Sequence, residues 1–255
     1  MHTGAITPYI DVAQLVLYAF WIFFAGLIYY LHRENKREGY PLESEGVGGT
    51  SLVQGWPPVP APKTYLLRDG RSVTAPGAAQ AEPALRARPA GAWPGAPLVP
   101  DGDALAAEVG PGAYARRADV PDTTVDGTPR LVPLRVAADY DVAHGDPDPR
   151  GLAVLGADGM SGGTVRDLWV DRAEALFRYL ELELPGGAQR VLVPMNFARV
   201  ERGRVRVSAL LGAQLASVPR TKNADSVTLL EEERIMAFFG AGTLYATADR
   251  QEPLI

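Results

Sequence analysis

VAQLVLYAFWIFFAGLIYYL, residues 12–31, carries no formal charge, and only Gln14 and the tyrosine hydroxyls interrupt its apolar run. A helix of about 20 residues rises about 30 Å, the thickness of the hydrocarbon core of a bilayer. Inside lipid an unpaired backbone amide costs several kcal/mol, so a single span has to be helical. No other stretch of the chain is as long and apolar. The expectation is a single-pass membrane protein with a large soluble part on one side.

The flanks set the expected orientation. No Lys or Arg precedes the span, whereas His32-Arg33-Glu34-Asn35-Lys36-Arg37 follows it directly. By the positive-inside rule the N-terminus lies outside and the bulk of the chain is cytoplasmic. A cleaved signal peptide is the rival reading, but it needs a basic n-region and a shorter apolar core. Asp11 is placed to cap the helix start, where a carboxylate meets the positive end of the dipole. Arg33, Lys36 and Arg37 stand at the other end, placed for anionic lipid head groups. Leu15, Ala19, Ile22, Gly26 and Tyr29 are spaced 4, 3, 4, 3 and form a seam on which small residues admit a second helix. A plain lipid-facing anchor is the alternative for the same five residues.

Totals exclude several classes of function. The chain has 255 residues, 25 Lys+Arg against 30 Asp+Glu, and a formal net charge of −5, which argues against a nucleic-acid partner. With no cysteine there are no disulfides, thiolate metal sites, iron–sulfur clusters or cysteine nucleophiles. The three histidines are His2, His32 and His144, and two of them flank the span, so a multi-histidine metal centre is not expected and no metal is assigned.

After the span, residues 32–40 read as a short helical extension stopped by Gly39 and Pro41. Of the 22 prolines, 17 lie between Pro41 and Pro149. Such a segment is either disordered or laid in extended form over other protein; Trp56, Trp93, Tyr65 and Leu66-Leu67 favour the wrap. Tyr65 to Thr74, with Asp69-Gly70 between, has the form of a small hairpin. From about Arg130 the composition turns globular. Strands are expected at 133–136, 152–155, 163–170, 180–184, 190–194 and 204–207, making a compact antiparallel sheet or small barrel. A short helix is expected at Leu210–Ala216. A second is capped by Ser226, ends at Gly240 and Gly242, and presents Leu229, Leu230, Ile235 and Phe239 as a docking face. The division is thus 1–11, a span at 12–31, a Pro/Gly-rich cytoplasmic segment at 32–129 packed on partners, and a soluble domain at 130–255.

The usual catalytic motifs are missing: no GxSxG, HExxH, P-loop or GxGxxG occurs. The Gly-rich run Gly156–Gly163 joins two strands and opens no helix, so it reads as a hairpin loop and not a phosphate site. Carboxylates remain. Asp171 and Glu174 follow a strand three residues apart, and Asp126 occupies an Asp-Gly turn ahead of the domain. Neighbouring carboxylates repel and one pKa rises, which suits proton relay; solvated surface acids are the alternative.

Several blocks together resemble one family. They are Ala19-Phe20-Trp21-Ile22-Phe23-Phe24, Arg37-Glu38-Gly39-Tyr40-Pro41-Leu42, Pro97-Leu98-Val99-Pro100-Asp101-Gly102, Asp167-Leu168-Trp169-Val170-Asp171, Tyr179 to Leu184, Val227 to Glu233, and Ala241 to Ala246. The chain resembles, over essentially its full length, the H subunit of the photosynthetic reaction centre of purple bacteria. The resemblance implies one membrane helix and a cytoplasmic, mainly-β PRC-barrel domain with a C-terminal helix. It implies a non-catalytic subunit of the bacterial inner (intracytoplasmic) membrane, N-terminus periplasmic, that binds no pigment itself. Such a subunit caps the L and M subunits, in a complex carrying bacteriochlorophyll, bacteriopheophytin, carotenoid, quinones and a non-haem iron. Membrane lipids and a light-harvesting antenna ring are further implied partners, and a tetrahaem cytochrome subunit is left open. The family's proton-conducting residues map onto Glu174, Asp171, Arg178 and Asp126, and the helix seam is expected to lie against a helix of another subunit. The Asp-Gly turn departs from the family pattern. It runs Asp126-Gly127-Thr128-Pro129-Arg130, without the two histidines that follow it in well-known members, which leaves Asp119, Asp122 and Asp126 as alternative proton collectors. A membrane-tethered PRC-barrel adaptor that docks soluble partners is the competing reading.

Overall fold

The computed structural model describes all residues except 1–3, 8, 41, 47–48, 54, 69, 78–84, 188 and 252–255. Pro41 and Asp69, used above as a helix stop and a turn residue, lie outside the described residues. The chain divides into two compact units, Met1–Pro83 and Ala84–Ile255. The second begins well before Arg130, so much of the Pro/Gly-rich segment belongs to the unit that holds the sheet.

In the first unit, helix α1 spans Val12–Asn35 and buries none of its residues. Asp11 caps it as its sequence position requires, accepting the Gln14 N–H at 2.7 Å. Strands β1 (Leu42–Gly46) and β2 (Gly49–Val53) pair antiparallel, as do β3 (Lys63–Leu66) and β4 (Ser72–Ala75). The second pair is the hairpin expected around Tyr65–Thr74.

The second unit opens with the antiparallel pair β5 (Ala87–Pro89) and β6 (Leu98–Pro100). Its main sheet holds β7 (Leu131–Pro133), β8 (Ala153–Leu155), β9 (Ser161–Asp171), β10 (Leu176–Glu183), β11 (Arg190–Pro194), β12 (Ala198–Glu201) and β13 (Arg204–Val207). The order is β11-β10-β9-β8-β13-β12, with β7 also on β9. The long β9 organises it. β10 lies along one edge, and the other edge is shared by β8 at the Ser161–Thr164 end and β7 at the Trp169–Asp171 end. β13 runs parallel to β8, so the sheet is mixed and not wholly antiparallel. The core is filled by Leu168, Trp169, Leu180, Leu182, Val193, Leu210, Leu215, Ile235 and Phe239, all under 2% exposed.

Three local expectations change. The strand at 133–136 ends at Pro133, and Leu134–Val136 curls into a 3-10 turn whose Arg135 reaches Asp167 and Glu181. The helix expected at Leu210–Ala216 is a 3-10 turn over Ala213–Ser217. The last helix, α2, spans Leu229–Tyr245 and is capped by Thr228, whose side chain accepts the Glu231 N–H while the Glu231 carboxylate accepts the Thr228 N–H. It runs straight through Gly240 and Gly242. These glycines are contact points: a Cβ would lie 2.4 Å from the Pro111 carbonyl at one and 2.5 Å from the Ala209 carbonyl at the other. Ile235 and Phe239 of the expected docking face are fully buried in the unit's own core, where the Phe239 ring packs on Phe197 at 5.5 Å.

Candidate functional site

Arg130 is the centre of the site. β7 follows it directly and pairs Leu131 with Asp171, so backbone register brings the Arg130 side chain to the end of β9. Its Nε donates to Asp171 Oδ1 at 2.9 Å and Nη2 lies 2.7 Å from Asp171 Oδ2, a bidentate pair. Nη2 also reaches Glu174 Oε1 at 2.5 Å, and Nη1 lies 3.4 Å from Asp122 Oδ2. The turn from β9 to β10 fixes the acids. Asp171 Oδ1 accepts the N–H groups of Ala173 and Glu174, and Ala175 takes the left-handed conformation at φ 53° to close the turn. A non-glycine residue there is strained by about 1 kcal/mol or more, the sort of cost that turn geometry at a site can hold.

Sequence reasoning placed Asp171 and Glu174 together and the structure does the same, but with a guanidinium between them. The expected rise in pKa therefore does not occur at Asp171. Burial pushes its carboxyl up, yet Arg130 and the two backbone N–H groups outweigh that and hold it below the usual carboxylate value. The raised carboxyl in this cluster is Glu232, on α2. Burial is the leading cause, only partly opposed by the Tyr179 hydroxyl, which donates to Glu232 Oε2 at 3.3 Å. Glu232 was hidden in the Glu231-Glu232-Glu233 run, where spacing alone does not say which acid turns inward.

These groups line a cavity of about 220 Å³ with Arg117, Asp122, Arg130, Asp171, Glu174, Arg178 and Glu232 on its walls. Arg178 lies 3.7 Å from Glu174, across the turn. Arg117, Arg178 and Glu232 also border a neighbouring cleft of about 590 Å³ walled by Leu176, Phe177, Met195 and Met236. Asp126 is not on either wall. It stands exposed at the tip of a small hairpin, Thr123 to Pro129, whose base is closed by the Arg130 N–H donating to the Asp122 carbonyl at 2.8 Å. Among the described residues it has no hydrogen-bond or ion-pair partner, whereas Asp119 is held by Lys222 and by the Thr228 hydroxyl. No three His, Cys, Asp or Glu among the described residues group to hold a metal ion. At the Arg130 cluster the guanidinium already occupies the centre of the acids.

In the first unit, all five seam residues of α1 are exposed, and a Cβ at Gly26 would meet nothing within 4 Å. The Tyr29 end of the seam touches the Trp56 ring at 5.4 Å. The basic cluster departs from the sequence reading. Lys36 is only 3% exposed and donates to the Pro57 carbonyl at 2.6 Å, with its ammonium 5.0 Å from the Tyr40 ring. Arg37 is tied to Glu34 at 2.6 Å and to the carbonyls of Ala61 and Ala75. Both cations bind the chain that follows the helix, and Arg33, at 41% side-chain exposure, is the most open of the three.

A family model for the photosynthetic reaction centre, H-chain N-terminal region, matches residues 4–136, more than half of the chain. The chain belongs to the reaction-centre H-chain family. A PRC-barrel domain model matches residues 141–214, which contain β8 to β13. Together they cover α1 and strands β1 to β13, and α2 follows beyond both matches. Among the described residues α1 is the one helix long and apolar enough to cross a membrane, which fits a membrane-anchored H chain. H-chain membership makes this a structural subunit associated with the L and M subunits, in a complex that carries pigments and quinones.

Proposed function

We propose that this H chain caps the cytoplasmic face of the L and M subunits, steadies their quinone sites and conducts protons to the secondary quinone during light-driven electron transfer. α1 crosses the membrane with its N-terminus periplasmic, and the Leu15–Ala19–Ile22–Gly26–Tyr29 seam packs on a helix of another subunit. Gly26, with open space around its Cβ position, supports that reading, since a small residue facing nothing among the described residues leaves room for a close neighbour.

The observation that carries the proton role is the cavity that joins Glu174 to Glu232 through Arg130, Arg178 and Asp171. A relay needs groups that exchange protons near neutral pH beside groups that stay charged. Glu232, pushed up by burial, leans towards the protonated form, while Asp171 is locked in the ionised form by Arg130. Glu174 is 46% exposed and stands at the mouth between them. Asp126, on its hairpin tip and without a partner among the described residues, is the surface collector in place of the absent histidine pair. The chain supplies no pigment ligand and no chemistry of its own; it holds and moves protons. Antenna contact, lipid contact through Arg33, and residence in the intracytoplasmic membrane follow on the same reading.

Glu174→Gln in the assembled complex tests it. The proton-coupled second electron transfer is expected to slow by roughly tenfold or more, with primary charge separation unchanged. An unaltered second-transfer rate across the pH range in flash spectroscopy removes Glu174 from the path.

A further inference from the structure

The sheet of the second unit carries a charged edge that the proton path does not use. β12 is an edge strand and β13 its neighbour. Arg199 on β12 lies opposite Arg206 on β13, Glu201 lies opposite Arg204, and Arg202 sits in the turn between them. All four arginines are exposed. Only Arg204 among them has a partner within the described residues, its Nε donating to Glu201 Oε2 at 2.8 Å. Four arginines against one glutamate leave this hairpin strongly positive on a chain whose net charge is −5. Like charges directly opposite each other destabilise a sheet, and a single charge already suffices to discourage edge-to-edge aggregation. The outer edge of β12 has no backbone partner among the described residues.

β9 gives the edge a direction. β8, and β13 through it, pair only with its Ser161–Thr164 end, while the Arg130 cluster sits at Asp171. Seven residues of strand at about 3.3 Å each separate the two ends by roughly 23 Å. The direction rests on the proposed function: with the Asp171 end against the membrane-embedded subunits, the arginine edge lies at the far end, remote from the lipid surface. On β12 itself Arg199 and Glu201 share one face, with Arg206 and Arg204 behind them on β13 and Arg202 in the turn, so an extended acidic chain laid beside β12 meets an edge that is positive on balance. We propose that the Arg199–Arg206 edge docks an extended acidic segment of a soluble protein, which adds as a strand beside β12.

The test uses the intact complex in detergent and a fluorescent synthetic peptide of alternating glutamate and threonine, read by anisotropy. The peptide is expected to bind, and R199E/R206E to weaken it by roughly tenfold or more. R88E/R116E makes the same change in net charge at exposed sites elsewhere and is expected to leave binding unchanged. Equal loss in both variants, equal binding of a lysine–threonine peptide, or equal binding of an acidic peptide interrupted by prolines overturns the proposal. So does retention of phosphatidylglycerol vesicles through the same arginines in place of the peptide, which assigns the edge to lipid. Flash kinetics of R199E/R206E are expected to match the wild type; a slowed second electron transfer overturns the placement of the edge away from the quinone side. A negative Glu174→Gln result with intact peptide binding defeats the proton path alone.

Discussion

Arg130 and Arg135 make a natural pair. Each gathers three carboxylates, and each takes one from β9. Arg130 holds Asp122, Asp171 and Glu174; Arg135 holds Asp167, Glu181 and Asp225. The composition is the same, the two arginines are similarly exposed and each cluster holds a buried acid; the two differ at the glutamate. Glu181 is 4% exposed, and its oxygens are shared between Arg135 at 2.6 Å, Arg190 at 2.7 Å and the Trp169 Nε1–H at 2.9 Å. Glu174 has one strong partner, an open side and a cavity behind it. A cavity of about 380 Å³ borders Arg135 and Glu181 as well, so the difference lies in how firmly the glutamate is held: three donors fix Glu181 and make a structural clamp, whereas the open side of Glu174 makes a candidate relay.

The largest expected effect that sharpens this contrast is at Glu181. Glu181→Ala leaves the buried Trp169 indole N–H without its acceptor and takes a carboxylate from the half-open Arg135 and Arg190, and stability is expected to fall by about 2–3 kcal/mol. Denaturant unfolding of the solubilised chain, followed by tryptophan fluorescence, measures it; a loss under about 1 kcal/mol breaks the clamp reading. Asp171 comes next, being buried but bordering the cavity. Asp171→Asn is expected to cost about 1–3 kcal/mol at neutral pH. The sign follows from its lowered pKa: the stabilisation is complete above the unfolded value of 3.8 and is lost as pH falls through the folded value. Wild type and variant should therefore converge in acid, and a constant gap at all pH values excludes the ion pair as the cause.

Glu232 has the opposite sign. A carboxyl raised in the fold favours the fold below its unfolded value of 4.5 and weighs against it as pH rises through the folded value. Glu232→Gln is expected to stabilise the protein at neutral pH by on the order of 1 kcal/mol or less, visible as a higher melting temperature whose advantage vanishes in acid. The smallest expected effect on stability is that of Glu174→Gln, within about 0.5 kcal/mol because the side chain is half open. A large loss of stability there would make Glu174 a second clamp and erase the contrast.

The legible parts of the molecule were those written in local pattern. The apolar run and Asp11 fixed α1, because length, charge and capping act over a few neighbouring residues. Alternation in Leu180–Leu184 and Arg204–Val207 marked strands, since one buried face imposes a period of two. Missing from local pattern were the parts set by what packs from elsewhere. Gly240 and Gly242 look like helix stops and are contact points, because the backbone they meet comes from Pro111 and Ala209. β12 and the parallel pairing of β13 on β8 were not visible, since pairing partners far apart in sequence leave no local trace.

The sequence by itself determined that the chain has one membrane-capable helix, a mainly-β unit, no cysteine chemistry and the H-chain blocks that place it in its family. It also brought Asp171 and Glu174 together, because three residues across a turn leave little choice. Only the tertiary structure decided what stands between them. Arg130 comes from 41 residues away and reverses the expected electrostatics at Asp171, and Glu232 arrives from α2 with the burial that raises it. Lys36 and Arg37 look free in sequence, but they are taken up by the carbonyls of Pro57, Ala61 and Ala75. Charge is a property of the residue, whereas its partner and its exposure to water are properties of the fold.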